Sequence, residues 1–187
     1  LKTRELVMVS IFASLTAIGA FIKIPIPYVP FTLQFLFCAM AGIILGPKLG
    51  ALSQILYVII GLMGVPIFTE GGGLYYIFKP TFGYLIGFIV AAYVIGKVSY
   101  TIKRLTFIKT LICILSGLFF VYLFGVIYLY IIYNLYMGDA KTIKWAIFYG
   151  FVICVGGDLL VSMAASALAL KLKPIVKFGQ ESRKVLP

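Results

Sequence analysis

The sequence has no histidine and only five acidic residues among 187. The first absence removes the commonest general base and metal ligand. The second leaves few carboxylates to converge on a reaction centre. Cysteines number three, Cys38, Cys113 and Cys154. All lie inside apolar runs without zinc-like spacing, so they are read as small buried hydrophobes. No Gly-x-x-x-x-Gly-Lys-Ser/Thr motif occurs, so the chain is expected to carry no nucleotide site of its own. Charged residues make up only 11% of the chain and hydrophobic ones 63%. A soluble domain carries about 25% charge and less than half apolar residues. No polar, low-complexity stretch is long enough for a linker or a second domain. Residues 1–187 therefore read as one integral membrane domain, bound by lipid and enzymatically inactive. The chain begins at Leu1, so its natural start is expected to be missing, and no cleavable signal peptide is recognised.

What is present is a series of apolar runs, several near the ~20 residues needed to cross a hydrocarbon layer. They predict an all-α fold, a polytopic bundle of six transmembrane helices. The expected spans are about Leu6–Ile22, Phe31–Leu45, Leu49–Gly64, Thr81–Ile95, a long run from Leu111 to Tyr136 with a break or an interfacial extension expected beyond about Ile127, and Phe151–Leu172. "KIPIPYVP" and "GVP" interrupt helix by their prolines. The net charge of +11 would suggest nucleic acid in a soluble protein. Here the basic residues fall in loops and indicate orientation instead; no nucleic-acid partner is expected. With both termini in the cytoplasm, twelve of the 16 basic residues face inward, and Lys23, Lys79, Lys141 and Lys144 face outward. The proline-rich loop, the "TEGGG" loop and the segment before the last helix then share the outer side. Irregular backbone near membrane depth is tolerated where it lines a cavity or is buried in protein.

Asp158, in "VGGDLLV", is the acid that this pattern isolates. It lies 13 residues before Lys171, roughly 20 Å along a helix, in the outer half of the membrane. An ionised Asp at a span centre costs about 2.5–3.5 kcal/mol, so it is expected to turn inward toward a partner. That partner is either a ligand's N–H groups or another helix. Gln34, an amide at an apolar helix start, suits a neutral polar ligand or an interhelical hydrogen bond. Gln54 is a weaker candidate of the same kind. "EGGGLYY" offers backbone N–H groups at Gly72 and Gly73 beside Tyr75 and Tyr76, either a ligand wrap or a plain turn. Lys79 can pair with an anionic ligand, with Glu70, or point to water. Ala13 and Ala17, four apart with Ser10 and Ser14 nearby, permit close approach of another helix, in the same bundle or in a second protein. Gly42, Gly46, Gly50, Gly83 and Gly87 are expected to serve internal packing.

These residues together resemble the biotin-specific substrate-binding component, the S component, of energy-coupling factor transporters. The likeness covers nearly the whole chain. It is strongest in "IPIPYVPFTLQFLFCAMAGIILGPKLGALSQILYVIIGLMGVPIF" and continues in "KPTFGYLIGF" and "GGDLLV". It implies a six-helix bundle in the cytoplasmic membrane of a prokaryote, binding biotin near its outer face. It also implies docking through helix 1, with Ala13 and Ala17 as the docking face. The partner is a transmembrane coupling protein driven by two cytoplasmic ATPases, so that ATP is used by partner subunits. Asp158 takes the acidic ligand position, facing the ureido ring, and Gln34 and Tyr84 match polar pocket positions. Three departures stand out: Val161 where the family has Lys, Lys79 where it has Gly, and Gly156 where it has Pro. Lys79 is therefore expected to supply the missing positive charge to the biotin carboxylate. The same departures leave open a related ligand such as a biotin precursor. A membrane enzyme needs two or more converging ionisable groups, and the spans hold one acid; a channel or scaffold is the third class.

Overall fold

In the computed structural model the backbone is described for residues 2–176, with side chains to Leu172. Lys177, Arg183 and Lys184, counted above among the inward charges, lie outside the described residues, as does the side chain of Lys173.

The chain is mostly helical. α1 (Thr3–Phe21) opens with a capping box, in which the Lys2 backbone N–H donates to Glu5 Oε2 at 2.9 Å. The prolines at 25, 27 and 30 then keep the chain out of helix, and it turns back on itself where the Val29 N–H donates to the Pro27 carbonyl at 2.9 Å. One short sheet is added to the helical frame. β1 (Lys23–Ile24) and β2 (Phe31–Thr32) form a two-residue antiparallel ladder. Phe31 and Thr32 are thereby taken out of the second helix, so that α2 (Gln34–Leu45) begins at Gln34.

α2 passes into α3 (Pro47–Leu62) through Gly46, which has φ +83° and precedes a proline at the first helical position. A loop with a 3₁₀ turn at Leu74–Phe78 leads to α4 (Phe82–Thr101). α5 (Phe107–Leu135) is one unbroken helix of 29 residues. Of the break or extension expected beyond Ile127, the break is absent: no proline interrupts the run, and the helix continues to Leu135. The last rod starts earlier than expected, at α6 (Ile143–Ile147). It passes through a π turn at Phe148–Val152 and continues as α7 (Ile153–Val176).

Four rods are long and apolar enough to cross a membrane: Thr3–Phe21, Phe82–Thr101, Phe107–Leu135 and Ile143–Leu172. α2 and α3 are apolar but shorter, 12 and 16 residues, about 18 and 24 Å at 1.5 Å per residue.

α2 is the axis of the bundle, packed by α1, α3, α4 and α7. Ten of its 12 residues are buried. The glycines read as packing positions behave so. A Cβ at Gly42 would stand 2.8 Å from the Ala92 carbonyl oxygen, and one at Gly87 2.8 Å from the Val121 Cα. α4 therefore lies directly against both α2 and α5. Gln54 is the interhelical tie anticipated as its alternative: its amide donates to Thr16 Oγ1 of α1 at 3.2 Å.

Helix 1 meets the first of its two alternatives, close packing within the bundle. Ala13 is 4% exposed and belongs to the core, and Ala17 packs partly buried against it. Because α1 lies against both α2 and α3, these two alanines face the bundle. The face left outside carries Leu6, Val7, Ser10, Ile11, Ser14 and Ile18.

Candidate functional site

At the end of the bundle where β1 and β2 lie, the loops close over a cavity of about 50 Å³, partly open to solvent. Small-ligand sites span roughly 300–1,000 Å³, so a ligand of that class needs the lining side chains and loops to move apart. Its apolar wall comes from Val29, Phe31, Phe35, Leu85, Phe88 and Val121. Phe31 crosses from the first loop onto α7, where Gly157 leaves room for its ring; a Cβ there would fall 2.6 Å from it.

The polar groups fall into three sets. On α2, Gln34 is 4% exposed; its amide donates to Tyr57 Oη at 2.8 Å, and its carbonyl accepts from Thr32 Oγ1 at 3.1 Å. The Tyr57 hydroxyl in turn donates a hydrogen bond to the Ile67 carbonyl at 3.0 Å. Gln34 thus links the cavity floor to both outer loops.

The second set lies at the α3–α4 loop. Thr69, Tyr76 and Thr81 share hydrogen bonds of 2.8 and 2.9 Å along the wall. Burial pushes the Tyr76 pKa up, so its hydroxyl stays protonated. Lys23 reaches across from β1 and donates to the Thr69 carbonyl at 2.6 Å, joining the two loops above the cavity.

The third set joins α4, α5 and the last rod. Tyr84 donates to the Gly150 carbonyl at 2.7 Å, inside the π turn. A π turn shifts the backbone hydrogen-bond register, and this side chain serves one of its carbonyls. Asp158 lines the cavity, and the Tyr122 hydroxyl of α5 donates to its Oδ2. Of the two partners foreseen for the acid, another helix is the one present, and the side chain also lines the cavity.

Asp158, Gln34 and Tyr84 meet in this one site, whereas the other four expected residues do not reach it. Tyr75 is 65% exposed and turned outward against Phe78; its neighbour Tyr76 lines the wall in its place. Gly72 and Gly73 shape the loop: Gly73 has φ +98° and donates to the Gly61 carbonyl at 2.7 Å. Lys79 forms an ion pair with Glu70 at 3.1 Å, each side chain more than a third exposed. The Glu70 carboxylate raises the Lys79 pKa above 10.5. Among the described residues no cation lines the cavity and no cluster fit for a metal occurs.

Sequence reasoning missed Tyr122, Tyr57, Thr69 and Thr81. Tyr122 lies among eight aromatic residues between Phe119 and Tyr136, and only its contact with Asp158 singles it out. It also missed Tyr28, whose φ is +71° and whose ring packs edge-on against Trp145 and Tyr149, both at 4.8 Å. That contact fastens the first loop to the last rod.

A family model described as the BioY family matches residues 1–178. The chain belongs to the BioY family. It is 42% identical over 184 residues to a probable biotin transporter BioY of Lysinibacillus sphaericus, covering 98% of this chain and 94% of that one. It is 40% identical over 173 residues to the biotin transporter BioY of Thermotoga maritima, covering 92% and 97%. The fold matches a crystal structure at 2.1 Å of the S-component for biotin from an ECF-type ABC transporter. The TM-score is 0.78 at 25% identity, over 91% of this chain and 90% of that one. Like other members of the BioY family, the chain is a transporter component and not an enzyme.

Proposed function

We propose that this chain binds biotin in the cavity and serves its uptake as the S component of an ECF transporter. The observation that carries the reading is Asp158: an acid in a long apolar helix, lining a cavity that has no cation in its wall among the described residues. The ring N–H groups of biotin match such an acceptor, and the apolar wall suits its bicyclic body. Gln34 is proposed to orient the polar edge, and Tyr84 to form the wall beside Asp158. Lys79, two residues before Thr81, is proposed to give its charge to the biotin carboxylate by exchanging Glu70 for it. The Gly72–Gly73 turn and Tyr75 are proposed to move with the loop that closes over the ligand.

All six rods are proposed to cross the cytoplasmic membrane with both termini inside. α2 and α3 do so by lying within the protein, where length is less constrained than against lipid. The chain holds no cofactor; ATP is consumed by partner subunits, a coupling protein and two cytoplasmic ATPases. The docking face on helix 1 is assigned to Leu6, Ser10, Ile11 and Ser14, in place of the inward-facing Ala13 and Ala17. A biotin precursor such as desthiobiotin is the second ligand this cavity suits, since it keeps the ring N–H groups that Asp158 would accept from.

Titration of the purified protein with biotin and desthiobiotin tests the reading. Saturable binding of either at one site per chain is expected. Absence of binding by both would remove it.

A further inference from the structure

We infer that Tyr122 is a positioning residue for the ligand, acting through Asp158. Its hydroxyl holds Oδ2 of the carboxylate and so presents Oδ1 to the cavity. The inference rests on the binding reading above.

Among the described residues, Tyr122 is the one side chain that hydrogen-bonds the Asp158 carboxylate. The ion pairs Lys79–Glu70 and Lys141–Asp139 lie in the loops and do not involve Asp158. A carboxylate offers about four acceptor sites, and a single phenol occupies one of them. The remaining capacity is left for donors that come from the ligand.

Tyr122 is well placed to hold a fixed direction. It is 7% exposed. Phe151 and Tyr84 both stand edge-on to its ring, with ring centroids 4.8 and 6.5 Å away. Tyr84 is itself fixed by the Gly150 carbonyl. A line of contacts thus runs from the π turn through Tyr84 and Tyr122 to the acid. Without it Asp158 would choose among rotamers, and ordering a side chain on binding lowers affinity.

The test is a double-mutant cycle on the full chain, read as the biotin Kd. Tyr122→Phe keeps the ring contacts and removes only the hydroxyl. It is expected to weaken binding roughly tenfold or more, as for a hydrogen bond to a charged group. In an Asp158→Asn background the same change is expected to cost less than about twofold, since the partner it positions is altered. Equal losses in both backgrounds would mean that Tyr122 only supports the fold, and would overturn the inference. So would a Tyr122→Phe protein that binds as tightly as wild type. If wild type itself fails to bind, the binding reading falls and carries the inference with it, a result distinct from additivity.

A second measurement needs no variant. The chain has two aspartates, Asp139 and Asp158, so labelling with carboxyl-¹³C aspartate gives two infrared bands. One is expected to shift when biotin is added while the exposed Asp139 band stays fixed. A spectrum unchanged by saturating biotin would contradict a ligand-facing Oδ1.

Discussion

Two acids flank the same cavity in opposite circumstances. Glu70 stands in the α3–α4 loop, more than a third exposed, and pairs with Lys79 at 3.1 Å. Asp158 stands on a membrane-length rod, beside a phenol and among apolar side chains. An ion pair in water is worth about 0–1 kcal/mol and can be exchanged for another partner at little cost. A lone acid within the bundle is costly and persists where something needs it. The contrast assigns specificity to the interior acid and leaves the loop pair as a replaceable charge.

Removing the interior acid should have the largest effect. Asp158→Ala is expected to weaken biotin binding roughly 100-fold, about 3 kcal/mol, as read by calorimetric titration; a change below fivefold would erase the contrast. Tyr84→Phe leaves the Gly150 carbonyl without its donor. It is expected to destabilise the protein by about 1–2 kcal/mol, seen as a lower Tm in detergent, with only a few-fold loss in affinity. Lys79→Ala is expected to weaken biotin about two- to fivefold, with a loss that shrinks as salt rises. Because Glu70 holds the Lys79 pKa above 10.5, the ammonium stays charged across the neutral range, and this contribution should not vary with pH there. A variant that binds biotin as tightly as wild type would remove Lys79 from the site. Glu70→Gln has the smallest expected effect and the opposite sign. Freeing Lys79 from its partner should leave biotin affinity unchanged or raise it by less than about twofold.

Much of the fold was legible because long apolar runs with punctuating prolines and glycines leave little choice. Gly42 and Gly87 could be read as packing positions because small residues at helical spacing let backbones approach. Asp158 and Gln34 could be selected because charged and amide groups are rare in such runs, whereas Tyr84, one of 13 tyrosines, came from the family likeness. What was not legible depended on direction. Ala13 and Ala17 have the spacing of a docking face, but spacing does not say which side of α1 the bundle covers. Tyr75 and Tyr76 are adjacent, and a single 3₁₀ turn decides which faces the cavity. The Phe31–Thr32 ladder is two residues long, too short for any periodicity to show. Tyr122 matters only through a residue 36 positions away, a relation that hydropathy and local spacing do not encode.

A structure determined with biotin bound tests the central claim most directly. The account predicts the bicyclic ring between Phe31, Tyr84 and Phe88, with a ring N–H within hydrogen-bond distance of Asp158 and Tyr122 still on the other carboxylate oxygen. Biotin bound outside this cavity, or an Asp158 whose oxygens are both taken by protein groups in the complex, would contradict it.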